Sequence, residues 1–264
     1  MNFDISKILN NWEYQPGLPM VRKFKGKDGI EKIQVRLDLG ILQMNATGRP
    51  DGKRPFGCES FLEFYKNKLA EHIIENHGDD DAFVLKPSDC EDLCAEARLY
   101  QHRSMCFFYL SEYQNVINDI EQNLATYDLI EQYAENEEFV NLVYQQIPHL
   151  FALKIHAQSL LYLQKGKKQQ SIKCIENGLN ELIEFYDKTN IEGPPEQSPE
   201  INFLKNWLNE LRPKPRLTKR EKLEKAMQEA IAKEEYEKAA IYRDQLQQLN
   251  RKKQSKQKQN INNH

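Results

Sequence analysis

No apolar run in the 264 residues approaches the ~18 that a membrane-spanning helix requires. The opening MNFDISKIL has neither a basic start nor an apolar centre, so a cytoplasmic protein is expected. Signatures of catalysis are missing as well: there is no Gly-rich phosphate cradle with its lysine, no HExxH and no nucleophile elbow. Cysteine is sparse and odd in number, with Cys58, Cys90, Cys94, Cys106 and Cys174 scattered along the chain, which excludes a disulfide framework. Cys90 and Cys94 could share a helix face, but no second pair or nearby His completes a ligand set. Six dispersed histidines suggest core or surface positions. The expectation is a non-enzymatic protein without metal or cofactor.

What the chain does have is 39% hydrophobic and 29% charged residues, enough to build a core in one large or two modest domains. The net charge of −3 conceals two different objects. From Pro213 to His264 fourteen Lys/Arg face seven Asp/Glu, about +7, which leaves about −10 for the preceding 212 residues. A uniformly basic nucleic-acid domain is excluded, whereas a basic arm is not.

The patterns predict a mostly α protein that begins with a small α/β unit over 1–76. FDISKILNNW has the form of a short amphipathic helix ended by YQPGLP. PMVRKFK and IEKIQVRLDLGILQM, joined by GKDG, have the form of a β-hairpin in whose second run Ile33, Val35, Leu37 and Leu39 alternate with polar residues. The loop GRPDGKRPFG precedes a helix with Phe61, Leu62, Tyr65, Leu69 and Ile73 on one face. The Asp-rich HGDDDAFVLKPSD is then expected to separate this unit from a helical domain over 77–211.

Within that domain an echo recurs at an offset of 55 residues. Ser104, Phe107, Ile117, Ile120, Glu121 and Leu124 are matched by Ser159, Tyr162, Ile172, Ile175, Glu176 and Leu179. A small residue and an aromatic on a first helix, a turn (LSEY or QKGK) and a second amphipathic helix resemble the tetratricopeptide repeat. The copies are spaced by an extra helical stretch, DLIEQYAENEEFVNLVYQQI, and two repeats fall short of a free-standing stack. A compact bundle of repeat-like hairpins is expected.

RPKPR marks a linker over 212–217, and a helix hairpin follows over 218–250. Thr218 and Glu221 fit a capping box; Leu223, Ala226, Met227, Ala230 and Ile231 form the first face, and Tyr236, Ala239, Ala240, Arg243 and Leu246 the second. The run KLEKAMQEAIAKEEYEKAAIYRDQLQQL, with its aromatic, Ala-Ala and Arg-Asp at fixed spacing, resembles the UVR motif of the excision-repair proteins UvrB and UvrC. The family commonly has Phe where Tyr236 stands. The resemblance implies a bacterial protein and a contact module whose partner is a UVR-containing protein, a second copy of itself, or a Clp-type unfoldase. Partner-binding residues are then Leu223, Met227, Ile231, Tyr236, Ala239, Ala240, Arg243 and Leu246.

Two basic segments suggest anion contacts. Arg49, Lys53 and Arg54 sit in the loop before a helix start and suit an anion, the basis for an alternative reading as an enzyme. Arg251, Lys252, Lys253, Lys256 and Lys258 belong to a tail over 251–264 expected to be disordered; contact with DNA there would suit an excision-repair accessory. That tail has no aromatic residue between its charges. The primary expectation is a protein–protein adaptor.

Overall fold

The computed structural model describes residues 4–189, 193–212 and 219–261, with the backbone alone for 250–261. It is mostly helical, and it divides into two compact units, 1–212 and 213–264. The expected linker, apart from Arg212, and the Thr218 cap lie outside the described residues.

The first unit opens with a single short turn of helix, α1 (Ser6–Asn10), less than FDISKILNNW suggests. An antiparallel sheet follows in the order β1-β2-β3: β1 (Val21–Lys25), β2 (Glu31–Leu37) and β3 (Gly40–Asn45). The expected two-stranded hairpin therefore has a third strand, because the run IEKIQVRLDLGILQM reverses at Asp38–Leu39, with Leu37 paired to Gly40. Ile33 is fully buried, but Leu37 and Leu39 lie outside at 49% and 89% exposure. Arg36 explains the reversal. Its guanidinium, buried beneath the turn, donates to the carbonyls of Trp12, Leu37, Asp38 and Gly40. The cation satisfies carbonyls that a reversing chain leaves without ladder partners.

Among the described residues eight further α-helices follow, beginning with α2 (Phe61–Glu75), α3 (Pro87–Tyr109) and α4 (Tyr113–Tyr133). After these come α5 (Glu137–Gln164), α6 (Lys168–Lys188) and α7 (Pro199–Leu211) among the described residues of the first unit, and then α8 (Lys219–Ala232) and α9 (Tyr236–Ile261) in the second. Their starts carry the expected chemistry: the Ser60, Asn136 and Ser198 side chains accept from backbone N–H groups of α2, α5 and α7. Neighbours α3–α4, α4–α5 and α5–α6 pack in sequence. Helical stretch DLIEQYAENEEFVNLVYQQI does not form an added helix: it is the end of α4 and the start of α5, so the 55-residue spacing reflects long helices. Pro148 is accommodated inside α5.

The echo holds in geometry. Ser111 (φ 60°) and Gly166 (φ 69°), 55 residues apart, end α3 and α5 in the left-handed conformation. Glu112 N–H then bonds Phe107 O, and Lys167 N–H bonds Tyr162 O, the six-to-one bond of a Schellman turn. Ser104 and Ser159 are fully buried, as small residues at close helix contacts should be. Ser159 Oγ also lies 2.8 Å from Ser171 Oγ and accepts from Trp207 Nε1 at 2.8 Å.

No boundary falls at residue 76. One buried cluster joins Ile33, Met44, Leu62 and Tyr65 to Leu93, Phe107, Ile120 and Leu150. Leu85, within the Asp-rich segment, is buried and hydrogen-bonds through its backbone to Tyr133 and Glu135. The deepest link comes from α3, whose Glu96 and Arg103 stand two turns apart. Glu96 accepts from the N–H groups of Phe61 (2.8 Å) and Leu62 (3.2 Å), the free donors at the start of α2. Arg103 makes a two-pronged ion pair with Asp119 (2.9 and 2.7 Å) and also donates to the carbonyls of Asn45 and Gly48. Burial pushes the Asp119 carboxyl up from its ordinary value, opposed by Arg103.

A second cluster, with Ile155, Ile175, Leu182, Ile201 and Leu204, closes the other end. Beside it His156 is ringed by Phe108, Phe203 and Trp207 at 5.1, 4.9 and 5.1 Å. Burial among these rings drives its pKa down to about 4.

Two predictions follow from this packing. Arg103→Ala leaves Asp119 buried and unpaired and should lower unfolding free energy in urea by about 3–5 kcal/mol. A simultaneous replacement of both partners by apolar residues should cost less. For His156 the folded pKa lies below the unfolded value, so its neutral form favours folding fully above pH ~6.5 and that contribution disappears as pH falls toward 4. After allowance for partial solvent screening the loss is about 1–2 kcal/mol, and urea melts at pH 7 and pH 4.5 should show it shrinking in His156→Phe.

Candidate functional site

In the C-terminal unit, α8 and α9 pack against each other as a helix hairpin. Ala232 ends the first helix, and Lys233–Glu235 reverse the chain. Glu234 holds φ 60°, while its N–H reaches Ile231 O and the Glu235 N–H reaches Ala230 O. This is the Schellman turn already seen at Ser111 and Gly166, here with Glu in a position that glycine fills more readily.

The two fully buried side chains among its described residues are both small, Ala230 at 4% exposure on α8 and Ala239 at 8% on α9. Small side chains let the two backbones approach. The close approach anticipated for an external partner at Ala239 is thus already used, which corrects the reading of that residue; Ala240 is half-buried. Tyr242, Leu246 and Leu249, also half-buried, continue the inward face of α9 at helical spacing from Ala239. That face keeps Ala239 and Leu246 of the predicted one but is rotated from it by less than a quarter turn, so that Tyr236 and Arg243 stand on its exposed flank. Leu223 and Met227 are half-buried on α8.

Three large apolar side chains stay exposed: Ile231 at 48% and Tyr236 at 66% flank the turn, and Ile241 at 56% lies a turn and a half along α9 on another side of that helix. Ile241 was missed because it falls outside the heptad-like face, and its only signal was an apolar residue on the polar side. Arg243 pairs with its neighbour Asp244 at 2.9 Å, both exposed. Around them lie exposed pairs such as Arg220–Glu224 (2.7 Å) and Lys238–Glu235 (2.9 Å), which keep the hairpin soluble and add little stability.

Residues 218–252 match the UvrB/uvrC motif. No curated protein and no solved structure matches the chain. The motif covers the hairpin and does not extend into the first unit.

The expected disordered tail is corrected by α9, which continues to Ile261. Arg251, Lys252, Lys253, Lys256 and Lys258 therefore stand on helical backbone. Lys, Gln and Arg are good helix formers, and cations suit the negative end of the helix dipole. At 1.5 Å per residue α9 is about 39 Å long against about 21 Å for α8, so its C-terminal part has no α8 alongside it.

The Arg49, Lys53 and Arg54 anion site also needs correction. Arg49 is turned inward and buried between two carboxylates, with Nε 3.0 Å from Asp51 in an ion pair lacking hydrogen-bond alignment and Nη1 3.4 Å from Glu96. Arg54 pairs with Glu59 at the surface, and Lys53 is exposed. The three cations do not converge. Elsewhere a cleft of about 540 Å3 between α5 and α6 is lined by Phe151, Lys154, Gln158, Tyr162, Lys173 and Cys174. Burial raises its Cys174 thiol away from the reactive thiolate form. Among the described residues no helix is long and apolar enough to cross a membrane.

Glu234→Gly should relieve the left-handed strain by about 1 kcal/mol. Hydrogen exchange on the full chain should then slow about fivefold for α8 and α9 amides while those of α3 and α5 stay unchanged.

Proposed function

We propose that this chain is a non-enzymatic adaptor in which the C-terminal hairpin is the contact module and the helical unit is its carrier. The observation that carries the reading is the exposure of three large apolar side chains on a short hairpin, Ile231, Tyr236 and Ile241, in a segment that matches the UvrB/uvrC motif. A thirty-residue hairpin whose fully buried residues are two alanines has little core of its own, so covering these side chains favours association. The repeat-like hairpins α3–α4 and α5–α6 of the carrier suit a protein that works through contacts.

A second reading, an excision-repair accessory, is favoured by the motif together with the five cations on the last turns of α9. Phosphate contacts by those cations would make binding fall with salt, whereas an apolar hairpin contact would not.

The test is capture of partners by the full chain and by an Ile231→Asp/Tyr236→Ala variant, with low- and high-salt washes and identification by mass spectrometry. The variant should lose salt-resistant partners by at least tenfold, as truncated interface anchors do. Retention of the same partners by the variant would remove the hairpin tip from the interface. The identity of the lost protein separates repair from control of proteolysis.

A further inference from the structure

The loop after β3 ends in a largely exposed aromatic side chain, Phe56. Phe56 holds φ 50° and ψ 27°, a left-handed conformation that costs a bulky residue ~1–2 kcal/mol. Its ring is 71% exposed, so burial returns little of that cost. The ring stacks on Phe64 of α2 at 4.2 Å and 22°, and Phe64 in turn meets Tyr65 at 5.1 Å. Phe56 thus stands at the end of a short aromatic stack.

Cations and acids both adjoin that stack in the chain, Lys53 and Arg54 on one side and Asp51, Glu59 and Glu63 with them. Lys53 and Arg54 immediately precede Pro55 and Phe56 and are exposed, and Lys68 Nζ lies 4.6 Å from the Phe64 ring centre. Arg54 is held only by the exposed Glu59, a surface pair worth under ~1 kcal/mol that a phosphate can replace. The loop beneath is rigid: Arg103 grips the Gly48 carbonyl at 2.6 Å, Gly52 N–H bonds Arg49 O at 2.9 Å, and Asp51 accepts from Lys53 N–H at 3.0 Å. The ring and its two cations are presented on a fixed support.

We infer that Phe56, with Lys53 and Arg54, forms a contact site for single-stranded nucleic acid, an unpaired base stacking on the ring and the adjacent phosphates meeting the cations. The combination selects this ligand. A base offers a flat face and carries phosphates at the distance of a neighbouring side chain, and stacking is indifferent to sequence. An apolar pocket on a protein would have to desolvate Lys53 and Arg54 along with the ring, at a cost that the ring's burial must offset. A duplex hides its base faces. The cations of 251–258 have no ring between them, whereas this loop joins a ring and two cations within four residues.

The test uses the full chain and fluorescence anisotropy with labelled fifteen-nucleotide oligo(dT) and oligo(rU), and with a duplex of equal length. The single strands should bind more tightly than the duplex, and the two arms decide between DNA and RNA. Phe56→Ala should weaken binding by about five- to a hundredfold, the range for loss of one stacking contact, while Phe56→Trp retains it. Lys53→Ala/Arg54→Ala should lower the salt slope by about 1.4. Tyr236→Ala should leave the affinity unchanged, which separates this site from the hairpin. Absence of single-strand binding at low salt, equal affinity of Phe56→Ala, or equal affinity for the duplex would overturn the inference.

Discussion

The grip of α3 on the chain that precedes it is the constraint around which the first unit is organised. Glu96 and Arg103 point from one helix into the N-terminal part, one closing the open N–H end of α2, the other holding the carbonyls where β3 gives way to its loop. Both are charged and almost fully buried, and each is satisfied on several sides. Such groups stabilise only in one arrangement, since a shift of either element would leave a charge without partners. That requirement fixes the sheet and α2 to the helical bundle more specifically than apolar contact alone could, and it makes a single body out of what resembles two.

The same grip shows which features can be read from the sequence and which cannot. The helices were legible because their apolar residues recur at helical spacing, and the three hairpin turns because SE, GK and EE follow amphipathic runs. The motif segment was legible from its own residues. The third strand was not, because the reversal at Asp38–Leu39 depends on Arg36 folding back onto the carbonyls of Asp38 and Gly40 while it also holds the distant Trp12 carbonyl. Nor was the destination of Arg49: a cation in a Gly/Pro-rich loop suggests an exposed anion site, and only the tertiary position of Glu96 turns it inward.

At the candidate hairpin, period and composition predicted two helices with apolar faces, and those exist. The rotation of α9 about its axis was not available from spacing, since the two alanines fit equally well toward α8 or toward a partner. Packing decided it, sinking Ala239 and leaving Tyr236 outside. The residues that remain exposed are those nearest the turn, where the helices have least chain on either side to cover them.

The unequal lengths of α8 and α9 have a mechanical meaning. A hairpin of two matched helices looks much the same from either end once its turn is covered. Here one strut outruns the other by about 18 Å, and five Lys/Arg positions, 251–258, fall on the unmatched stretch of its backbone, so the module has two unlike ends. Anything that docks at the turn is presented with the longer strut in one direction only, and two such modules meeting turn to turn would hold those positions as far apart as the geometry allows.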